Sequence, residues 1–122
     1  MVIVRSYKDL IVWQKAIDVI SQIYALTKRF PAEERYGLSS QMQRAAVSIA
    51  ANIAEGHGRG TRNDYAHFLD MANGSVSELK TLLVIAANLS LIPPQQCSTI
   101  ERQLSEIGKM LVALRTKLRP RP

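Results

Sequence analysis

Seven apolar side chains, Cys97, Ile100, Leu104, Ile107, Leu111, Leu114 and Leu118, recur at alternating intervals of three and four residues. That period places them on a single stripe of an α-helix, the seam of a helical bundle or coiled coil. No segment of the 122-residue chain shows sustained alternation with period two, so no β-strand is expected. Breaks at Pro31, at Gly56, Gly58 and Gly60, and at Pro93-Pro94 divide the chain into four periodic pieces, and Arg-Pro-Arg-Pro closes it.

The first piece predicts a helix from about Ser6 to Phe30, with Ser6 and Asp9 as its N-terminal cap signal. It carries two adjacent apolar stripes. One is Leu10, Trp13, Ile17, Ile20 and Tyr24; the other is Val12, Ala16, Val19, Ile23, Leu26 and Phe30. One stripe serves a core, and two imply burial in more than one direction. The second helix, about Ser39 to Glu55, is rich in small residues. It places Met42, Ala46, Ile49 and Ile53 on one face, with a narrow polar stripe of Gln41, Arg44, Ser48, Asn52 and Glu55 beside them. A helix so nearly uncharged is expected to be buried on most sides. The third helix, about Asn63 to Leu91, has Asn63 or Thr61 as its cap and Gly74-Ser75 in its middle, which suggests a close helix crossing or a bend. The fourth begins at Pro93-Pro94 and carries the seam. Four helices with short connections predict a single all-α domain over residues 1–122, an antiparallel up-and-down four-helix bundle with a short basic tail at about 115–122.

Composition removes several function classes. One cysteine, Cys97, excludes an internal disulfide framework and suits a reducing cytoplasm. No window approaches a membrane span, and Arg5, Lys8 and Asp9 interrupt the early apolar stretch that a signal peptide needs. His57, His67 and Cys97 lack ligand spacing, so no metal or other cofactor is expected. Neither a Ser/His/Asp order nor an isolated carboxylate pair is present, and an enzyme is not expected. Asn73-Gly-Ser75 and Asn88-Leu-Ser90 fit the glycosylation pattern by chance, inside a helix.

The run Phe30-Pro31-Ala-Glu33-Glu-Arg-Tyr36-Gly37-Leu38-Ser39-Ser-Gln41-Met-Gln-Arg44-Ala45-Ala46-Val-Ser48-Ile49-Ala-Ala-Asn52-Ile53-Ala54-Glu55-Gly56 resembles the signature of a bacterial four-helix bundle family. That family was first named for proteins encoded in intervening sequences of 23S ribosomal RNA. Leu10-Ile-Val-Trp13, Phe68-Leu69 and Ala72-Asn-Gly74-Ser75-Val-Ser-Glu78-Leu79 extend the resemblance over about residues 7–92. The resemblance implies a cytoplasmic bundle that closes into a homopentameric ring. The family's name records a genomic location, not an activity. A distant relative, the accessory variability protein of diversity-generating retroelements, is a basic pentameric bundle that binds nucleic acid and a reverse transcriptase. No feature of this sequence places it with those proteins specifically.

The formal net charge of +6 is uneven. Residues 1–63 hold nine basic and five acidic groups and residues 64–112 hold three and five, while the last ten residues hold Arg115, Lys117, Arg119 and Arg121 with no acid. Arg59 and Arg62 stand near the start of the third helix, where free N–H groups favour anions. These six cations are the candidate nucleic-acid contacts, through phosphates rather than bases, since the tail has no aromatic residue to stack on. The polar stripe of Gln41, Arg44, Ser48, Asn52 and Glu55, with Glu78, is read as a buried network that fixes register and subunit pairing, with Glu55 or Glu78 pairing with Arg44. The expectation is a non-enzymatic homo-oligomer that binds RNA or DNA, RNA favoured. The alternative is a protein-interaction scaffold without nucleic acid.

Overall fold

The computed structural model describes residues 4–119 and holds four α-helices with no strand among them. They are α1 (Ile11–Thr27), α2 (Leu38–His57), α3 (Arg62–Asn88) and α4 (Pro94–Leu118), with 3-10 turns at Tyr7–Asp9 and Ala32–Glu34. Each departure from the expected boundaries has a local cause. The Ser6/Asp9 capping box forms, but it closes the 3-10 turn: Ser6 Oγ accepts from Lys8 N, and Asp9 Oδ2 accepts from Ser6 N at 3.2 Å. Leu10 is extended, so α1 starts only at Ile11. At the other end Pro31 disfavours helical backbone at Phe30, and α1 stops at Thr27, whose hydroxyl donates to Ile23 O at 2.8 Å.

The third helix ends three residues early, at Asn88, in a Schellman motif. Leu91 N donates to Ala86 O (2.9 Å), Ser90 N donates to Ala87 O (3.0 Å), and Ser90 takes the left-handed conformation at φ 59°. Thr61 caps the start of this helix, its Oγ1 accepting from Asp64 N. Pro94 occupies the first turn of α4, where a missing N–H costs nothing.

The core is continuous across the four helices. Val12, Ala16, Val19, Ile23, Leu26 and Phe30 are buried, as are Met42, Ala46, Ile49 and Ile53 of α2. Leu69, Ala72, Val76, Leu79 and Leu83 meet them from α3, and the α4 seam from Cys97 to Leu111 completes the core. Pairings give the course of the chain. Along α2 and α3, Ser48 meets Ser75 and Gly56 meets Phe68. Along α3 and α4, Asp70 meets Arg115, Lys80 meets Ser105 and Cys97 meets Leu83 O. In both pairs of helices, numbers fall on one helix as they rise on the other.

The closest approach is at Gly56, not at Gly74. A Cβ at Gly56 would lie 2.7 Å from Phe68 Cβ and 3.1 Å from Tyr65 Cδ1. Gly74 has nothing within 4 Å, and α3 runs through it without interruption. The close crossing expected at Gly74-Ser75 is therefore absent within one chain. Burial also divides differently than expected on α2, where Gln41, Arg44, Val47, Ala51 and Glu55 are exposed. On α1 only one stripe enters the core. Leu10, Trp13, Ile17 and Ile20 pack against its edge and are half-buried, and Tyr24 is 46% exposed.

Candidate nucleic-acid interface

Arg115 leaves the last turns of α4 and reaches Asp70, with Nε 3.1 Å from Oδ1 and 3.2 Å from Oδ2, while Nη1 donates to Arg119 O at 3.0 Å. Its side chain is only 12% exposed. Asp70 lies two turns into α3, so the end of α4 stands beside the start of α3, where Arg62 is the first helical residue. Lys117 and Arg119 are exposed there, and Arg62 is exposed on the adjoining turn. Arg59 lies in the preceding connection. Its guanidinium sits 4.9 Å from the Phe68 ring centroid, a cation–π contact, and 3.8 Å from Glu55. Arg121 lies outside the described residues.

The same end receives the N-terminal turn. Lys15 pairs with Glu106 at 2.9 Å, and Asp18 faces Gln103 one turn further on, so α1 begins beside the last turns of α4. Arg5 and Lys8, which the sequence reading did not select, thus join the group. The signal was available: in a bundle that reverses at every connection, the first residues, the second connection and the tail share one end. Arg5, Lys8, Arg59, Arg62, Arg115, Lys117 and Arg119 gather there against Asp9, Glu55, Asp64 and Asp70. Three of those acids are engaged locally, by the Ser6 turn, Arg59 and Arg115. Arg115 is a brace between α3 and α4 rather than a free phosphate contact, which corrects its place among the candidates. The other five described cations, Arg5, Lys8, Arg62, Lys117 and Arg119, point to no acid in the chain and present a positive field to solvent.

The polar stripe divides in two. Asn52 Nδ2 donates to Ser48 O (2.9 Å) and to Ser48 Oγ (3.0 Å), and Ser75 Oγ donates to Ser48 Oγ (2.9 Å). This half-buried set ties α2 to α3. Gln41, Arg44, Glu55 and Glu78 are exposed in the single chain. Glu55 pairs with Arg59 instead of Arg44, so the expected ion pair does not form within one chain. Cys97 is buried on the seam as a core residue, with Sγ 3.8 Å from Leu83 O. Burial, and then the charge of Glu101, push its thiol upward. The Tyr65 hydroxyl is likewise pushed up by burial, and its ring stacks edge-on against His57 at 5.7 Å. No helix among the described residues is long and apolar enough to cross a membrane.

A family model described as the 23S rRNA-intervening sequence protein matches residues 8–113, nearly the whole described chain. The chain belongs to this family. A crystal structure from Bacteroides thetaiotaomicron VPI-5482, described as a protein with unknown function from the S23 ribosomal protein family, is similar. It has a TM-score of 0.79 and 27% identity, covering 85% of this chain and 97% of that one. No curated protein matches significantly. The match begins at Lys8 and ends at Ala113, so Arg5 and the cations from Arg115 onward lie outside the family-wide pattern, whereas Arg59 and Arg62 lie inside it.

Proposed function

We propose that this family member is a non-enzymatic cytoplasmic protein built from an antiparallel, up-and-down four-helix bundle. It assembles from copies of itself, as a homopentameric ring by family resemblance, and binds nucleic acid, RNA before DNA, through one basic end. The observation that carries the reading is the gathering of Arg5, Lys8, Arg62, Lys117 and Arg119 at one end of the bundle with no acid paired to them. Phosphates brought there displace counterions, and several copies of a weak site in one assembly add avidity. Five chains of +6 each carry +30, a much larger field than one chain presents. Self-association is supported by the second α1 stripe, Leu10, Trp13, Ile17, Ile20 and Tyr24, which the core leaves partly uncovered.

Fluorescence anisotropy with a labelled single-stranded RNA, titrated across salt, tests the reading. Affinity should fall steeply with salt, and each of Arg62→Gln, Lys117→Gln and Arg119→Gln should lower the slope of log affinity against log salt by about one. Salt-insensitive binding, or none at low salt, overturns it. The scaffold alternative draws on the exposed apolar residues Val84, Ile85 and Leu89 near the end of α3. Purification from cells with one protein partner and no nucleic acid would favour it.

A further inference from the structure

At the opposite end of the bundle, the last turn of α1, the 31–37 connection and the first turns of α2 enclose a cavity of about 530 Å³. That volume is within the range of small-molecule sites. Lys28 and Arg35 line it, with Phe30 as an apolar wall and Thr27, Ser39 and Gln43 as its polar floor. Helix α2 opens here without a side-chain cap, because Gly37 stands at the cap position. Gly37 N is satisfied by Glu34 O, and Gln41 N by Gly37 O. The amides of Leu38, Ser39 and Ser40 between them donate to no carbonyl, so three N–H groups and the positive end of a 20-residue helix dipole face outward together.

A second, independent feature is Ser39. It is only 6% exposed, and among the described residues its hydroxyl makes no hydrogen bond. Its neighbours are otherwise satisfied: Gln43 Nε2 donates to Thr27 Oγ1 at 3.0 Å, and Thr27 donates to Ile23 O. A buried serine hydroxyl left without a partner is costly unless a ligand supplies one. Here it lines a cavity with two cations and three free amides. We propose that this cavity is a binding site for the phosphate monoester group of a small phosphorylated molecule, held by the α2 N-terminal amides, the Ser39 hydroxyl, Lys28 and Arg35.

The donor set suits a dianion: two cations and four neutral donors exceed what one carboxylate can accept. The surroundings disfavour a nucleic-acid strand. Glu33 and Glu34 stand on the turn beside the cavity without lining it, where they repel a polyanion. The cations proposed for nucleic acid lie at the other end of the bundle. Failure of RNA binding would therefore leave this site untouched, and the reverse also holds.

The test is titration of the assembled protein with inorganic phosphate, ribose 5-phosphate and matched RNAs carrying a 5′-phosphate or a 5′-hydroxyl. Binding is followed by calorimetry and by the amide resonances of Leu38, Ser39 and Ser40. Saturable binding of phosphate and ribose 5-phosphate at millimolar concentration or tighter is expected, with those three amides shifting most. Lys28 and Arg35 are exposed, so their replacement leaves the core intact; Lys28→Gln, Arg35→Gln and Ser39→Ala should each weaken binding about tenfold. Arg62→Gln, at the far end, should not change it. The site is overturned by absence of binding at millimolar phosphate, by affinity unchanged in Lys28→Gln and Arg35→Gln, or by affinity lost in Arg62→Gln. A preference for the 5′-phosphorylated RNA over ribose 5-phosphate overturns the small-molecule assignment.

Discussion

Two residues carry the tightest constraints at the residue scale. Gly56 sits where α2 and α3 approach most closely, and the atom that an added methyl group meets first is the Phe68 Cβ, rooted on its own helix backbone. Nothing there yields cheaply, so the helices must move apart. Gly56→Ala should cost about 1–3 kcal/mol, read as a lower midpoint in urea unfolding. Cys97 is the second. Its thiol ionises less readily in the folded chain than in the unfolded one, because burial and Glu101 both oppose the thiolate. The folded state therefore holds a proton that the unfolded state releases at high pH. The contribution to stability is complete below the ordinary thiol range, about pH 8.5, and falls as pH rises through the shifted value. Unfolding measured from pH 7 to 10 should show this decline, and Cys97→Ala should flatten it, leaving only the part due to Tyr65, which shifts in the same direction.

At the scale of the helix, the termini were partly legible. The Ser6, Thr61 and Pro94 signals all appear at helix starts, because capping chemistry is local and needs no tertiary partner. The end of α3 was not legible. The apolar pattern continues through Leu89 and Leu91, but Leu91 belongs to the Schellman contact beyond the helix, and the left-handed position is held by Ser90 rather than by glycine. A side chain in that conformation costs about 1 kcal/mol that glycine does not. Ser90→Gly should therefore raise stability by about that amount, and Thr61→Ala should lower it by about 1 kcal/mol through loss of the bond to Asp64 N. Thermal unfolding of both variants checks the pair.

At the scale of the whole molecule, the distribution of apolar surface matters most. The bundle buries one α1 stripe and leaves Leu10, Trp13, Ile17, Ile20 and Tyr24 on its flank. If copies cover that flank, Ile17→Glu should dissociate the assembly while the helix content of the chain survives. Sedimentation velocity and circular dichroism together read both outcomes, and an assembly that persists unchanged places the interface elsewhere. Arg44 is informative in the same experiment. It is exposed and pairs with no acid in its own chain, so a role in subunit pairing requires that Arg44→Ala weaken assembly without unfolding the chain.

The sequence by itself determined the all-helical class, the number of helices, the core face of each and the family, because period, punctuation and an ordered signature are local properties of the chain. It also placed Cys97 correctly, since a cysteine in register with six aliphatic residues can only face the seam. Only the tertiary structure decided which of the two α1 stripes enters the core, and that Gly56 rather than Gly74 marks the close crossing. It likewise converted Arg115 from a free cation into a brace on Asp70 and brought Arg5 and Lys8 to the end that holds Arg62 and Arg119. The physical reason is common to all four. Each depends on which surfaces of separate helices meet, and a helical period names the faces of a helix without naming the neighbour that will cover them.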